Sequence, residues 1–158
     1  MSMLVAMIAQ AVAVTLLGMV CGSMFGIWLG YPILGYSPST FVEVHQTAVR
    51  GLNTVLPAMA AFALVLVAGL AFAARHRPSL MWSYVIVALL VVSGGLITRY
   101  INQPINTQVM TWTVASLPSD WGNIRHRWWT WHQIRLSITF IAVLLLIVVV
   151  LLDRRTLS

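Results

Sequence analysis

Four long apolar stretches, separated by charged residues, set the organisation of this chain. They cover residues 1–42, 51–74, 78–98 and 136–152, and none of them contains a charged side chain. A helix that crosses a bilayer needs about 20 mostly apolar residues, and in lipid such a run must satisfy its own backbone hydrogen bonds. The pattern therefore predicts an all-α fold, an integral membrane four-helix bundle that forms one domain over residues 1–158.

Turn-forming and polar residues place the ends of the predicted helices. Ser39 or Thr40 is expected to cap the second helix, and Pro57 is expected to kink it. Pro104 should end or bend the third helix because proline lacks the N–H that a helix interior requires. The predicted helices are about 4–31, 41–74, 80–101 and 125–152, and the loop 102–124 is predicted to cap one face of the bundle.

The composition supports a membrane protein and narrows its partners. Hydrophobic residues make up 60% of the chain and charged residues only 8%, whereas soluble domains carry roughly 25% charged residues. The net charge of +6 comes from arginines that flank apolar runs, which indicates contact with the lipid bilayer and not with nucleic acid. The single cysteine, Cys21, excludes an internal disulfide and a cysteine-cluster metal site, and is expected to be a packing residue.

Arginine positions favour one orientation in the cell membrane. Both termini and the turn between the second and third helices lie on the same side, which carries Arg75, Arg77, Arg154 and Arg155. The other side also carries arginines, but these are expected to serve a site. We therefore expect the termini to lie in the cytoplasm.

Glycines recur at every fourth position of the first helix, at Gly18, Gly22, Gly26 and Gly30. Residues at this spacing share one helix face, and small residues let two helices approach closely in lipid. Packing within the bundle is the favoured explanation, and the interface of a homo-oligomer is the alternative.

Residues able to bind or react collect at one end of the predicted bundle. The start of the second helix, the end of the third and the start of the fourth lie at the same membrane face. The residues found there are Glu43, His45, Gln46, Arg50, Asn53, Arg99, Asn102, Asn106, Arg125, Trp128, His132 and Arg135. A charge in hydrocarbon costs roughly 2.5–3.5 kcal/mol on insertion scales, so we expect these side chains to face an internal pocket. The opposite half is expected to hold only aliphatic residues.

The same stretch of sequence resembles a known family. The resemblance lies in an Asn-x-Pro-Ile-Asn element at residues 102–106, a tryptophan-bearing loop and a following run of aromatic and basic residues. The run consists of Trp121, Arg125, Trp128, His132 and Arg135. A pattern of glycines with Ser23, Phe25 and Pro32 at the first helix also fits. In these features the chain resembles the DUF1772 family, which includes the anthrone oxygenases of polyketide pathways. The resemblance implies a four-helix membrane protein and an oxidoreductase, a monooxygenase that converts an anthrone to an anthraquinone with molecular oxygen.

That resemblance suggests a role for each candidate residue. His132 or His45 would be the general base, since imidazole suits proton transfer near neutral pH. Arg135, Arg50 or Arg99 would stabilise the resulting enolate or phenolate. The residues expected to contact a small apolar or aromatic substrate are Asn102, Asn106, Trp128, Trp131, Arg99, Gln46 and Asn53. An electron-rich carbanion can react with oxygen directly, so the resemblance requires no cofactor.

Other functions stay open at this point. His45, His132 and Glu43 could converge on a metal ion, or the two histidines could hold haem. The chain could also be a non-enzymatic carrier of small molecules or an accessory membrane subunit. A carrier should show polar positions through both halves of the membrane.

Overall fold

The computed structural model describes residues 2–155, and in this range it contains helices and no strand. Four helical segments are long and apolar enough to cross a membrane: Met3–Gly35, Pro38–Ala73, Pro78–Val109 and Trp121–Asp153. The predicted all-α four-helix bundle is confirmed, and the chain is an integral, multi-pass membrane protein.

Six α-helices build the four segments: α1 (Met3–Gly30), α2 (Pro38–Leu52), α3 (Val55–Ala73), α4 (Pro78–Ile97), α5 (Gln103–Val109) and α6 (Trp121–Arg155). Short 3-10 turns lie at Ile33–Gly35 and Val114–Ser116, and a π-helical turn at Thr98–Asn102 joins α4 to α5. The helix α1 packs against α3 and α6, and α4 packs against the same two helices. The long helices therefore form a ring, and α2 leaves it to pack on α5.

The second membrane segment breaks at Asn53 and Thr54, between α2 and α3. Pro57 explains the break, because it has no N–H to donate to the carbonyl of Asn53 four residues earlier. The Gln103 side chain donates to that carbonyl instead, at 3.4 Å. The kink predicted from Pro57 is thus confirmed, and it lies one helical turn before the proline. The cap of α2 is Ser37, and the predicted cap at Ser39 or Thr40 was wrong.

The third membrane segment continues past Pro104, so the predicted end near residue 101 was wrong. The π-helical turn places an extra residue in the helix ahead of the proline, and the Gln103 N–H bonds to the Thr98 carbonyl five residues earlier. Helix α5 then runs to Val109, and α6 begins at Trp121. The predicted loop 102–124 is therefore shorter, and covers residues 110–120.

The glycine face of α1 does not pack against the rest of the bundle. A Cβ atom added to Gly18, Gly22, Gly26 or Gly30 would meet no other group within 4 Å. Three of these glycines are exposed and Gly18 is half-buried. The favoured explanation, close packing inside the bundle, was wrong, and a homo-oligomer through this face stays a prediction.

The end of the bundle that holds the termini also contains a buried polar cluster. Gln10 Nε2 donates to Tyr84 Oη at 2.9 Å and to Asp153 Oδ2 at 2.7 Å. Tyr84 Oη donates to the same carboxylate oxygen at 3.2 Å, and Arg77 forms an ion pair with Asp153 Oδ1 at 2.7 Å. The prediction of a purely aliphatic half was wrong. Single polar residues on three different helices gave no local pattern that could reveal the cluster.

Replacing Asp153 with alanine tests what this cluster contributes. Asp153→Ala leaves buried donors of Gln10 and Tyr84 without their acceptor, and should lower the free energy of unfolding by about 2–3 kcal/mol. Denaturant unfolding in detergent measures the change. The control is Asp120→Ala, which alters an exposed loop carboxylate. Equal stability of the two variants would contradict the prediction.

Candidate functional site

A cavity of about 380 Å³ lies inside the bundle between α1, α2, α3, α4 and α6. Its volume is in the range of small-molecule sites, roughly 300–1,000 Å³. Aliphatic side chains of α1, α2, α3 and α4 form about half of its wall. Besides Tyr31, Tyr36 and Phe41, the wall carries a set of polar residues and one tryptophan towards the predicted polar end: His45, Asn53, Thr98, Arg99, Gln103, Asn106, Trp128, Arg135 and Thr139. The cavity therefore has one polar end and one apolar end.

Asn106 joins three other side chains at the polar end. Its Oδ1 accepts the indole N–H of Trp128 at 2.7 Å and lies 3.1 Å from His45 Nε2. Its Nδ2 donates to Asn53 Oδ1 at 2.8 Å. Because an indole N–H can only donate, the amide orientation of Asn106 is determined by these contacts. One asparagine thus ties together α2, α5 and α6.

The contact with Asn106 also determines the tautomer of His45. Asn106 Oδ1 is an acceptor, so His45 Nε2 carries the proton and donates it. The neutral ring then has its lone pair on Nδ1, which makes no hydrogen bond within residues 2–155. His45 is only 4% exposed and lines the cavity. It is a neutral, oriented imidazole whose basic nitrogen has no protein partner in the described chain.

A second network holds His132, which is 0% exposed and does not line the cavity. Its Nε2 lies 3.1 Å from the Met24 carbonyl, which can only accept, so Nε2 carries the proton. Its Nδ1 then accepts from Arg135 NH2 at 3.1 Å. Both ring nitrogens are engaged, and this arrangement orients Arg135 and leaves no lone pair free for a substrate.

Arg135 lies between this network and the cavity. Its NH1 donates to Thr98 Oγ1 at 3.1 Å and its NH2 to His132, while its buried Nε has no hydrogen-bond partner in the described chain. No carboxylate of the described residues pairs with it within 4.0 Å. A cation held in a mostly apolar cavity without an acid is costly, which suits a site that receives an anion.

Trp128 joins the two networks. Its ring stacks on His132 with centroids 5.0 Å apart, and meets the His45 ring edge-on at 4.8 Å. Arg135 lies over the same ring at 5.9 Å. Asn102 Nδ2 donates to the Trp128 carbonyl at 3.1 Å, which fixes the turn of α6 that carries the tryptophan. The buried Trp128 therefore lies on the cavity wall and contacts both histidines.

Besides His132, four of the predicted site residues lie off the cavity wall. Arg50 is exposed and donates to Gln46 at 3.3 Å, and Gln46 itself donates to the carbonyls of Val109 and Trp112. Asn102 is fully buried, behind the wall. Trp131 is half-buried and does not line the cavity. Helical spacing placed these residues on the correct helices. It could not show which side chains face the cavity, because that depends on the break between α2 and α3 and on the π-helical turn.

The predicted metal ligands do not come together. Glu43 is exposed, and His132 directs its nitrogens at Met24 and Arg135. Among the described residues, no three His, Cys, Asp or Glu side chains form a group that could hold a metal ion. The predicted set of His45, His132 and Glu43 is therefore not assembled among the described residues, and in this arrangement His132 offers no free nitrogen to a haem iron.

Thr98 and Gln103 are polar residues on the cavity wall that were not among the predicted site residues. Thr98 accepts from Arg135 and donates to the Gly94 carbonyl at 2.9 Å. Gln103 occupies the carbonyl that Pro57 leaves free. The proline was the signal for Gln103, because its missing N–H leaves a carbonyl on the preceding turn without a donor. No comparable signal marked Thr98 as the partner of Arg135.

Replacing Asn106 with leucine should disrupt the polar end of the cavity. Asn106→Leu keeps a similar volume but leaves Asn53, His45 and Trp128 without their partner. We expect a loss of about 2 kcal/mol in the free energy of unfolding, because hydrogen bonds inside membrane proteins average about 0.6 kcal/mol each and buried unpaired groups add to the cost. Thermal unfolding in detergent tests this, with Asn123→Leu on the exposed face of α6 as control. Equal melting temperatures would contradict it.

The fold and the cavity define a multi-pass α-helical membrane protein with a ligand-sized cavity that is polar at one end. Residues 45–145 match the family model described as anthrone oxygenase, so the chain belongs to that family, also known as DUF1772. The resemblance seen in the sequence is thereby confirmed. Comparison with curated proteins and with solved structures returns no match.

Proposed function

We propose that this protein is a membrane-embedded oxidoreductase that oxidises an anthrone-like phenolic substrate with molecular oxygen. The observation that carries the proposal is His45, whose unbonded Nδ1 belongs to an oriented neutral imidazole on the wall of an otherwise apolar cavity. Membership of the anthrone oxygenase family supplies the reaction class. Arg135, a cation without a carboxylate partner, supports the formation of an anionic intermediate.

The first step in this proposal is proton abstraction. His45 Nδ1 removes a proton from the CH2 carbon between the aromatic rings, and the electron pair passes to the carbonyl oxygen of the substrate. Asn106 holds the Nε2–H throughout, so the ring keeps its orientation when it becomes charged. Arg135 donates to the oxyanion that forms, which stabilises the anion more than the neutral substrate.

The second step is the reaction with oxygen. The carbanion carbon forms a C–O bond with O2, which gives a peroxide that takes up one proton. Loss of the second C–H proton breaks the O–O bond, forms the new carbonyl and releases water. In total, one CH2 group and one O2 become one C=O group and one water. The substrate loses the four electrons that O2 gains, so no further reductant enters.

The remaining wall residues receive supporting roles. Asn53 and Gln103 offer amide groups to substrate oxygens at the polar end, and Trp128 provides an aromatic face. The predicted participants Asn102, Gln46, Arg50 and Trp131 act from outside the wall, where they support α5 and α6 or face away. His132 is a positioning residue for Arg135 in this proposal.

Oxygen uptake by the purified protein in lipid vesicles tests the proposed function. Addition of an anthrone should consume one O2 per molecule and place one ¹⁸O atom from ¹⁸O2 in the quinone product. A panel of hydroxylated anthrones and phenols defines the range of substrates. A rate equal to that of empty vesicles for every compound would overturn the proposal in favour of a carrier or an accessory subunit.

We further propose that the termini lie in the cytoplasm of the cell membrane, so that the cavity's polar end faces the opposite side. The turn between α3 and α4 carries Arg75 and Arg77, which lie on the same side as the termini and are both exposed. Two of the arginines at the other end are engaged within the bundle: Arg125 donates to the carbonyls of Ile33 and Tyr36, and Arg135 to Thr98 and His132. Labelling of cysteines introduced into the two outer turns, in intact cells, tests this orientation.

A further inference from the structure

The cavity opens sideways, between α3 and α4. Five of the residues on its wall are exposed, and all of them belong to α3 or to α4 and the π-helical turn that follows it: Ala61, Val92, Gly95, Leu96 and Arg99. Every other residue on the wall is buried or half-buried. Both helices belong to segments that span the membrane, so this opening, which we call the lateral mouth, faces lipid.

Small residues border the lateral mouth. Ala61 on α3 and Gly95 on α4 carry little or no side chain at the positions that border it. A Cβ atom added to Gly95 would meet nothing within 4 Å, so empty space lies directly in front of this residue. The break between α2 and α3 at Asn53 and Thr54 lies on the same side as the polar end of the mouth and turns α2 away towards α5.

The lateral mouth is long enough along α4 for a flat ring system. Val92 and Arg99 are seven residues apart, which corresponds to about 10 Å along a helix. Aromatic rings that dissolve in lipid can enter edge-on through an opening of this length. The aliphatic wall behind it continues into the interior, where Leu17 and Leu64 lie.

The charge at the lateral mouth selects a kind of ligand. Arg99 lies at its polar end and makes no hydrogen bond or ion pair with the described residues. Arg135, deeper in the cavity, also has no carboxylate partner among them. Two cations without a carboxylate partner among the described residues, both towards the polar end of a mostly apolar cavity, are complementary to an apolar molecule with one anionic oxygen group.

We propose that the ligand of this cavity is a hydrophobic aromatic acid dissolved in the bilayer, which enters through the lateral mouth and is received there by Arg99. This inference rests on the proposed function in one respect: the cavity that takes up the aromatic acid is the cavity in which the substrate would react. A carboxylate or an acidic phenol on the ring system is the group that Arg99 recognises. The substrate therefore reaches the site from the lipid and not from the water at the membrane face.

Binding of a molecule that cannot react tests the proposal. Anthracene-9-carboxylate is dissolved in vesicles of zwitterionic lipid that contain the protein, and energy transfer from tryptophan reports its entry. Gly95→Phe fills the lateral mouth, and we expect the association rate to fall about tenfold. The control is Gly69→Phe, because Gly69 is exposed on α3, has the same open space and does not line the cavity.

A second pair of measurements tests the role of Arg99. Arg99→Gln should weaken binding of anthracene-9-carboxylate about tenfold and leave binding of the neutral anthracene-9-methanol unchanged, since only the carboxylate gains from the charge. Arg127→Gln, which changes an exposed arginine of α6, should affect neither molecule. Equal weakening of both molecules by Arg99→Gln would overturn anion recognition by Arg99.

These measurements test the entry of the ligand separately from the oxidation reaction. Equal association rates for Gly95→Phe and Gly69→Phe would overturn the lateral mouth, whatever the protein does with anthrones. Slower entry into Gly95→Phe in a protein that consumes no oxygen would support the mouth and overturn the oxygenase. Absence of any energy transfer to anthracene-9-carboxylate in the wild type would overturn the aromatic-acid ligand.

Discussion

Substitution of His45 by alanine should lower kcat for anthrone oxidation by about 10²–10⁴-fold, the usual contribution of a positioned general base. The loss follows because His45 is the imidazole on the cavity wall with a lone pair free of protein partners, whereas both nitrogens of His132 are engaged. Oxygen uptake in vesicles at saturating anthrone measures the effect.

The matched control for His45 is His126→Ala, which removes an exposed imidazole from α6. Added imidazole should restore part of the activity of His45→Ala, because the substitution leaves space beside Asn106. A His45→Ala protein that folds and keeps more than about half of the wild-type kcat, a change of under 0.5 kcal/mol in the barrier, would contradict the assigned base.

Substitution of Arg135 by glutamine should lower kcat by about 10²–10³-fold, the range found when one donor to an oxyanion is removed. Glutamine keeps a hydrogen-bond donor near Thr98 but loses the positive charge and the contact over Trp128. The effect should fall mainly on kcat, because the charge acts on the anion formed in the reaction. Steady-state oxygen uptake across a range of anthrone concentrations separates kcat from KM.

The control for Arg135 is Arg127→Gln on the same helix, where the guanidinium is exposed. It should leave kcat and KM unchanged. A rise in KM alone for Arg135→Gln would mean that the residue binds substrate and anion equally, which would contradict its role in stabilising the intermediate.

The apolar runs were sufficient to predict the membrane segments, since uncharged stretches of that length have few other solutions in lipid. Proline chemistry was only partly informative. Pro57 correctly located the break in the second segment, whereas Pro104 was accommodated by a π-helical turn and did not end its helix. That turn keeps Asn102 and Asn106 inward, and so helps to build the polar end.

The division of labour between the two histidines could not be predicted from the sequence. His45 and His132 are both predicted to lie at the same membrane face, and helical spacing assigns the two histidines comparable positions. The two histidines differ in their hydrogen bonds to residues far away in the sequence. Asn106 is 61 positions from His45, and Met24 is 108 positions from His132. Such contacts depend on how the helices rotate and bend in the bundle, which local spacing does not determine.

The polar cluster at the far end shows the same limit. Gln10 and Tyr84 are single polar groups within apolar runs, and each alone is typical of a lipid-facing or packing residue. Asp153 gives both of them an acceptor only because α1, α4 and α6 meet there. A carrier is expected to have polar residues in both halves of the bundle. The second cluster does not indicate a carrier by itself, because its polar groups bond to one another and hold three helices together.

Proton exchange without oxygen tests the central claim most directly. Under nitrogen in D2O, the wild-type protein should catalyse the exchange of deuterium into the CH2 group of anthrone, because His45 removes that proton before oxygen takes part. His45→Ala should exchange at the rate of empty vesicles, while His126→Ala should match the wild type. Wild-type protein that consumes oxygen with anthrone but exchanges no deuterium under nitrogen, or a His45→Ala variant that exchanges as fast as the wild type, would contradict the assignment of His45 as the base of this site.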